Sequence, residues 1–246
     1  MLELACFTAS SALTAARAGA SRIELCASYT SGGVTPLLST LHSIRDELQR
    51  SSPSTATIPG APTAEHGQIP IYIMIRPRGG DFSYTPTEFE AMKSSIDGFQ
   101  AIGDGAVQGF VFGILTADAR VDGPRCRELV ELAAPLPCTF HRAVDGVADE
   151  DLEGAVQTIV ECGFESVLTS GGAGSAREGV ERVAGLQKKY GERITLILGG
   201  GVRSSNVVGL KREAGVRWVH SAAITGPGEE VDEAEARRMV ALLQHV

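Results

Sequence analysis

Residues 16–26 read ARAGASRIELC, and the arrangement returns as VECGFESVLTS at 160–170 and REAGVRWVHSA at 212–222. Each stretch closes a helical pattern, turns through one glycine and enters an apolar run. Gly19, Gly163 and Gly215 stand where a left-handed residue ends a helix, a conformation that glycine adopts without a Cβ clash. Apolar runs of strand length recur outward from these three: LELAC (2–6), RIELC (22–26), IYIMI (71–75), GFVFGIL (109–115), CTFHR (138–142), SVLTS (166–170), ITLILG (194–199) and RWVHSA (217–222). The segments between them have helical spacing. Leu152, Val156, Ile159 and Val160 share one face, as do Ala236, Met239, Val240 and Leu243, which is the period of an amphipathic helix. Asp149 and Ser204 are candidates to open helices. Eight such units in 246 residues suit a (β/α)8 barrel, for which this length is typical. A doubly wound α/β sheet is the alternative, and it has no need of eight repeats.

One segment breaks the rhythm. SSPSTATIPGAPTAEHGQ (51–68) is rich in Ser, Pro, Thr, Ala and Gly and has no period, so it reads as a flexible insertion in a single domain spanning 1–246. It joins a helix back to a strand, which puts it on the N-terminal face of a barrel, opposite the usual site.

Composition narrows the function classes. With 43% apolar and 21% charged residues the chain can bury a sizeable core. The formal net charge is −8 and no Lys/Arg block occurs, which argues against a nucleic acid partner held by bulk electrostatics. The N-terminus lacks a basic region and a sustained apolar stretch, and no run reaches transmembrane length, so the reading is a soluble cytoplasmic protein with no membrane partner. Five cysteines without a CxxC pair speak for free thiols rather than a disulfide framework or a structural zinc site.

In a (β/α)8 barrel, chemistry gathers at the C-terminal ends of the strands. Those ends carry Cys6, Cys26, Arg76, Arg78, Asp81, His141, Arg142, Asp145, Thr169, Ser170, Gly171, Gly172, Gly199, Gly200, Gly201, Arg203, His220 and Ser221, whereas the strand starts are mostly apolar. Charged groups at the tip of a buried strand cost free energy unless something there uses them. Arg76, Arg78 and Asp81 fit either an ion-pair network at the rim or a ligand contact. His141 fits either a satisfied core histidine or a base beside Arg142 and Asp145. The glycines at 199–201 can expose amides to a phosphate or carboxylate, or simply make a tight turn.

Cys6 and Cys26 end neighbouring strands, about 5 Å apart, and a pair of thiolates suits Cu(I). Alternation raises an objection. If Glu3 and Glu24 face the interior, Cys26 faces in as well, but Cys6 does not unless the first strand ends or bulges before it.

The motifs ELAC, RIELC with GGVTP (32–36), IMIRPRGGDF, GFVFGIL, TFHRAVD, VLTSGG, GGGVRSSN and VHSA occur in this order from residue 2 to about 222, and in this the chain resembles the CutC copper-homeostasis family. The resemblance implies a (β/α)8 barrel, a cytoplasmic location and handling of Cu(I), with the family's discussed cysteines matched by Cys6 and Cys26. The chain departs from the family pattern in a longer insertion at 51–68 and in a shorter loop after VHSA. Two functions follow as expectations. One is a Cu(I) carrier or buffer using Cys6 and Cys26. The other is an enzyme acting on a small anionic metabolite. In it Arg76, Arg78 and the 199–201 loop would hold the anion, and His141 with Asp145 or Glu24 would transfer a proton. Homo-oligomerisation is left open, since no interface is specified.

Overall fold

The computed structural model describes residues 1–51, 69–103 and 105–244. Its strands are β1 (Leu2–Cys6), β2 (Arg22–Leu25), β3 (Ile71–Met74), β4 (Gly109–Phe112), β5 (Cys138–Phe140), β6 (Ser166–Thr169), β7 (Thr195–Leu198) and β8 (Trp218–Ser221). They alternate with α1 (Ala9–Ala18), α2 (Leu38–Ser51), α3 (Pro86–Gln100), α4 (Gly123–Ala133), α5 (Leu152–Glu161), α6 (Ala176–Tyr190), α7 (Val207–Ala214) and α8 (Glu233–Leu243). All pairings are parallel and follow chain order, with β8 closing onto β1. The barrel expectation holds, and the open doubly wound sheet does not. Residues 52–68, nearly all of the expected insertion, lie outside the described residues.

The seven strands after β1 stop one to three residues before their apolar runs do. The residues left over, among them Cys26, His141, Arg142, Ser170 and Gly199, begin the loops of the mouth. Gly19, Gly163 and Gly215 take φ of 88°, 90° and 67°, the left-handed turn expected at each helix end. The helix starts differ from expectation. Asp149 begins a single 3₁₀ turn ahead of α5. Ser204 does not open α7, because its amide and hydroxyl both bind the Glu235 carboxylate at 2.7 Å.

Alternation sorts the strand residues into two layers. Leu4, Ile23, Ile73, Phe110, Phe140 and Val219 face outward into the main apolar core, packed with helix residues such as Ala12, Ile44 and Met92. The inner face is unusually polar, and several of its groups are partnered. The hydroxyls of Thr139 and Ser166 meet at 2.6 Å. The Arg22 guanidinium lies 4.1 Å from the Tyr72 ring centroid and 4.5 Å from that of Trp218, favourable stacking for a cation out of water. Gly109 makes room for this layer, since a Cβ there would come within 2.5 Å of the Tyr72 ring.

Candidate functional site

The mouth of the barrel holds a cavity of about 270 Å³. Of the expected site residues, Glu24, Cys26, Arg76, His141, Arg142, Gly200, Gly201, His220 and Ser221 line it, whereas Cys6, Arg78, Asp81, Asp145, Ser170 and Gly199 do not.

Each of the excluded residues has a physical reason for its place. β1 runs unbroken through Cys6, so alternation turns that thiol outward. It lies in the helix-side core and donates to the Leu4 carbonyl at 3.6 Å. Cys26 instead packs with Met74 and Val111 on the inner side. The two thiols therefore do not share the cavity. Arg78 is held by Glu88 at 2.6 Å and Asp81 at 3.0 Å, which makes it a rim clamp on the loop after β3. Asp145 is not free to serve His141. Its carboxylate accepts from Arg142 Nε, Thr169 Oγ1, Ser170 N and Gly172 N, and so ties the loop after β5 to the loop after β6. Ser170 belongs to that tie. Gly199 sits below the cavity, where a Cβ would meet Leu168 at 2.6 Å.

A buried charge chain forms the floor. Arg22 Nε donates to Glu3 Oε2 at 2.5 Å, and Glu3 Oε1 meets His220 Nδ1 at 2.7 Å. His220 Nε2 then lies 3.9 Å from Glu24 Oε2, and the Cys26 thiol donates to that oxygen at 3.5 Å. Burial works against the Glu3 charge, but Arg22 and His220 outweigh it and hold the carboxyl at about 2. An ionised Glu3 must accept, so His220 carries its proton on Nδ1 and turns Nε2 toward Glu24. Glu24 is pushed up chiefly by burial. His220 is raised because the Glu24 and Glu3 carboxylates overcome the opposing effect of burial. Burial and the nearby Glu24 raise the Cys26 thiol well above its usual range. Glu3, Glu24 and His220 bring ligand atoms within 4.8 Å of one another. Arg22 already balances Glu3, however, and oxygen and imidazole donors are not the soft set that Cu(I) selects.

The walls carry donors. His141 is 4% exposed, and its Nδ1 accepts the Ala143 amide at 3.3 Å. The proton of the neutral ring is therefore on Nε2, which is buried and has no partner. Burial and the neighbouring Arg76 hold this imidazole down at about 3, so at neutral pH it is a neutral donor rather than a base. Arg76 donates to the carbonyls of Ser31, Gly32, Gly33 and Gly80, locking the loops after β2 and β3 together while its face lines the cavity. Arg142 spends Nε on Asp145 and Nη2 on Ser170, and its Nη1 has no partner among the described residues. Arg203 stands on the same wall, with Nη1 bound to Val202 O at 2.8 Å and Ser221 Oγ at 3.1 Å. The amides of Gly200 and Gly201 have no acceptor among the described residues. Both glycines take positive φ, 103° and 76°, so the turn that exposes them requires glycine.

The sequence placed Arg203 among the polar strand-end residues without assigning it a role, and Glu3 was missed as a site residue. The signal for Arg203 was its place two residues after the glycine run. For Glu3 it was a carboxylate on an inward position of a fully buried strand.

The sequence profile of the CutC family matches residues 1–225. A CutC family protein of Xanthomonas campestris pv. campestris is 36% identical over 260 aligned positions, covering 99% of this chain and 98% of that protein. A human protein named copper homeostasis protein cutC homolog is 36% identical over 91% of this chain and 73% of its own length. The crystal structure of CutC from Streptococcus agalactiae superposes with a TM-score of 0.78 at 26% identity, covering 92% of this chain and 99% of that one. With its closed parallel barrel and its motifs in register from the first strand to the last, the chain belongs to the CutC family.

Proposed function

We propose that the barrel mouth binds a small anionic metabolite, phosphorylated or carboxylated, and acts on it by moving a proton. One observation carries this reading. Arg142, Arg203, Gly200 and Gly201 line one cavity, the amides of the two glycines have no acceptor among the described residues, and Gly200 lies against the Arg142 guanidinium; backbone amides beside guanidinium groups are the recurring means of holding phosphate or carboxylate oxygens. Proton-transferring groups, Glu24 and His220, lie on the floor beneath. A carrier of Cu(I) has no use for that wall.

The test is thermal protection by inorganic phosphate and by a panel of phosphorylated and carboxylated small molecules. A ligand at about 100 times its Kd stabilises by about 2.7 kcal/mol, which raises the Tm of a chain this size by about 5–10 °C. The Arg142→Met variant is expected to lose most of that rise. If no anion protects the wild-type protein more than it protects Arg142→Met, the reading fails.

A second reading, a role in copper homeostasis as in the name of the human relative, is favoured by a different observation. Cys26 and Met74 pack side by side on the inner face and line the same cavity, and thiolate with thioether is a donor set that suits Cu(I). The raised thiol means that binding must release its proton. In competition against a chromophoric chelator under reducing conditions, Cys26→Ser is expected to weaken Cu(I) binding by about 100-fold or more. Cys6→Ser should bind like the wild type. Retention of full affinity by Cys26→Ser ends the copper reading.

A further inference from the structure

Three buried polar atoms on residues that line the cavity have no partner among the described residues: Arg76 Nε, Glu24 Oε1 and His141 Nε2. Glu24 Oε1, on a residue 3% exposed, is buried without a hydrogen bond, and so is His141 Nε2. Each costs about 1–3 kcal/mol while it stays unmade. Glu24 projects from β2 and His141 follows β5, three strands away in a ring of eight, so an acceptor and a donor stand on different sides of one cavity. A molecule that satisfies both presents a transferable hydrogen to one side and an oxygen to the other.

We propose, building on the anionic-metabolite reading, that the site catalyses proton transfer at a carbon next to a carbonyl group. Glu24 takes the proton from carbon, and the Nε2–H of His141 hydrogen-bonds the carbonyl oxygen of a substrate that also carries a phosphate or carboxylate.

The step balances without a co-reactant. The C–H bond breaks and its proton forms an O–H bond on the Glu24 carboxylate. The C–H electron pair becomes the C=C bond of an enolate, and the carbonyl π pair moves onto oxygen. Glu24 then returns the proton to the same carbon as the pair on oxygen re-forms the carbonyl, so the outcome is exchange at that carbon with no net redox change. His141 suits the oxyanion because it is a neutral donor fixed by the Ala143 amide, and a preorganised donor in a water-poor site stabilises developing charge. Glu24 lines the cavity from β2, which places its carboxylate where it can take the proton. Glu3, through His220, acts as a positioning residue: it fixes the tautomer that presents Nε2 to Glu24. Among the described residues no lysine lines the cavity, so a covalent imine route is not what this site is built for. The phosphate or carboxylate falls to the Arg142–Arg203–glycine wall, which leaves the carbonyl end to Glu24 Oε1 and His141 Nε2.

The experiment is proton exchange in D2O, followed by NMR, with dihydroxyacetone phosphate, ribulose 5-phosphate, pyruvate and 2-oxoglutarate as probes. Each probe is also scored for thermal protection. A protecting probe should lose its α C–H signal at least about 100-fold faster than in buffer. Glu24→Gln should slow that exchange by about 100-fold or more while the probe still protects. His141→Phe, which removes the donor, should slow it by about 100- to 1,000-fold. Protection without exchange, or exchange that survives Glu24→Gln, overturns this proposal and leaves the anion reading standing. Neither protection nor exchange across the panel overturns both.

Discussion

Replacing Glu3 with Gln is expected to destabilise the folded protein by about 3–5 kcal/mol, the usual result of stranding one member of a buried ion pair. Glu3 is fully buried, and its two oxygens serve Arg22 at 2.5 Å and His220 at 2.7 Å. The amide of Gln can still accept from Arg22, but it carries no charge to offset a guanidinium that is 7% exposed. One Arg22 nitrogen, Nη2, already has no partner, so the remaining stabilisation would come mainly from the Tyr72 and Trp218 rings. Urea unfolding should show a lower midpoint with an unchanged slope, the mark of a change in stability rather than in the surface exposed.

The same substitution has a pH signature. The Glu3 carboxyl is held at about 2 in the fold, against about 4.3 in an unfolded chain. A depressed carboxyl contributes stability above its unfolded value and loses it as pH falls toward its folded one. The gap between wild type and Glu3→Gln should therefore shrink as pH falls from about 4.3 to 2, and it should also narrow as pH rises above about 6.5, where wild type loses the stabilisation that Glu3 gives protonated His220. His141, held at about 3, also costs stability on acidification, but it is present in both proteins and cancels in the difference. A gap below about 1 kcal/mol, or one that does not change with pH, would mean that the floor of the barrel is not the charge chain described.

The strand ends were legible in the sequence because each apolar run stops where a polar cluster begins, and local chemistry is enough to see it. The glycines at helix ends were legible for the same reason. Partnership was not. Glu3 and Glu24 look alike by alternation, yet the register sets Glu3 beside Arg22 and Ala5 beside Glu24. One carboxylate is thereby ionised by a neighbouring cation, while the other is left with a raised affinity for its proton. That difference depends on the stagger between strands, which no single strand encodes. Side-chain direction was equally hidden beyond the strand ends. Arg76 and Arg78 are two residues apart, but the first turns into the cavity and the second outward to Glu88. The case of Cys6 is the reverse. Period-2 alternation already pointed its thiol away from Cys26, and the unbroken strand agrees with that arithmetic rather than with the family resemblance.

Gly179→Ala and Gly185→Ala sit in one helix, α6, and are expected to move stability in opposite directions. By helix propensity alone, each should gain about 0.5–1 kcal/mol. At Gly185 the added methyl meets nothing within 4 Å, so that gain should appear. At Gly179 the methyl would overlap the Ser170 carbonyl oxygen and lie 2.9 Å from the Ser170 carbon. Gly171 approaches the same helix turn from the other side, with its own Cβ position 2.5 Å from the Gly179 oxygen. Backbone lies against backbone here, so no side chain can rotate away. Overpacking against main chain should cost about 3 kcal/mol or more. The damage should also reach the site, because Ser170 holds Asp145 and Arg142, and Arg142 lines the cavity. A displaced Ser170 turn moves that guanidinium away from the glycine wall. Gly179→Ala should therefore lose both stability and protection by anions, while Gly185→Ala keeps the protection and melts slightly higher. Equal behaviour of the two variants would mean that α6 does not press on the turn after β6, and the tie between that turn and the cavity wall would have to be abandoned.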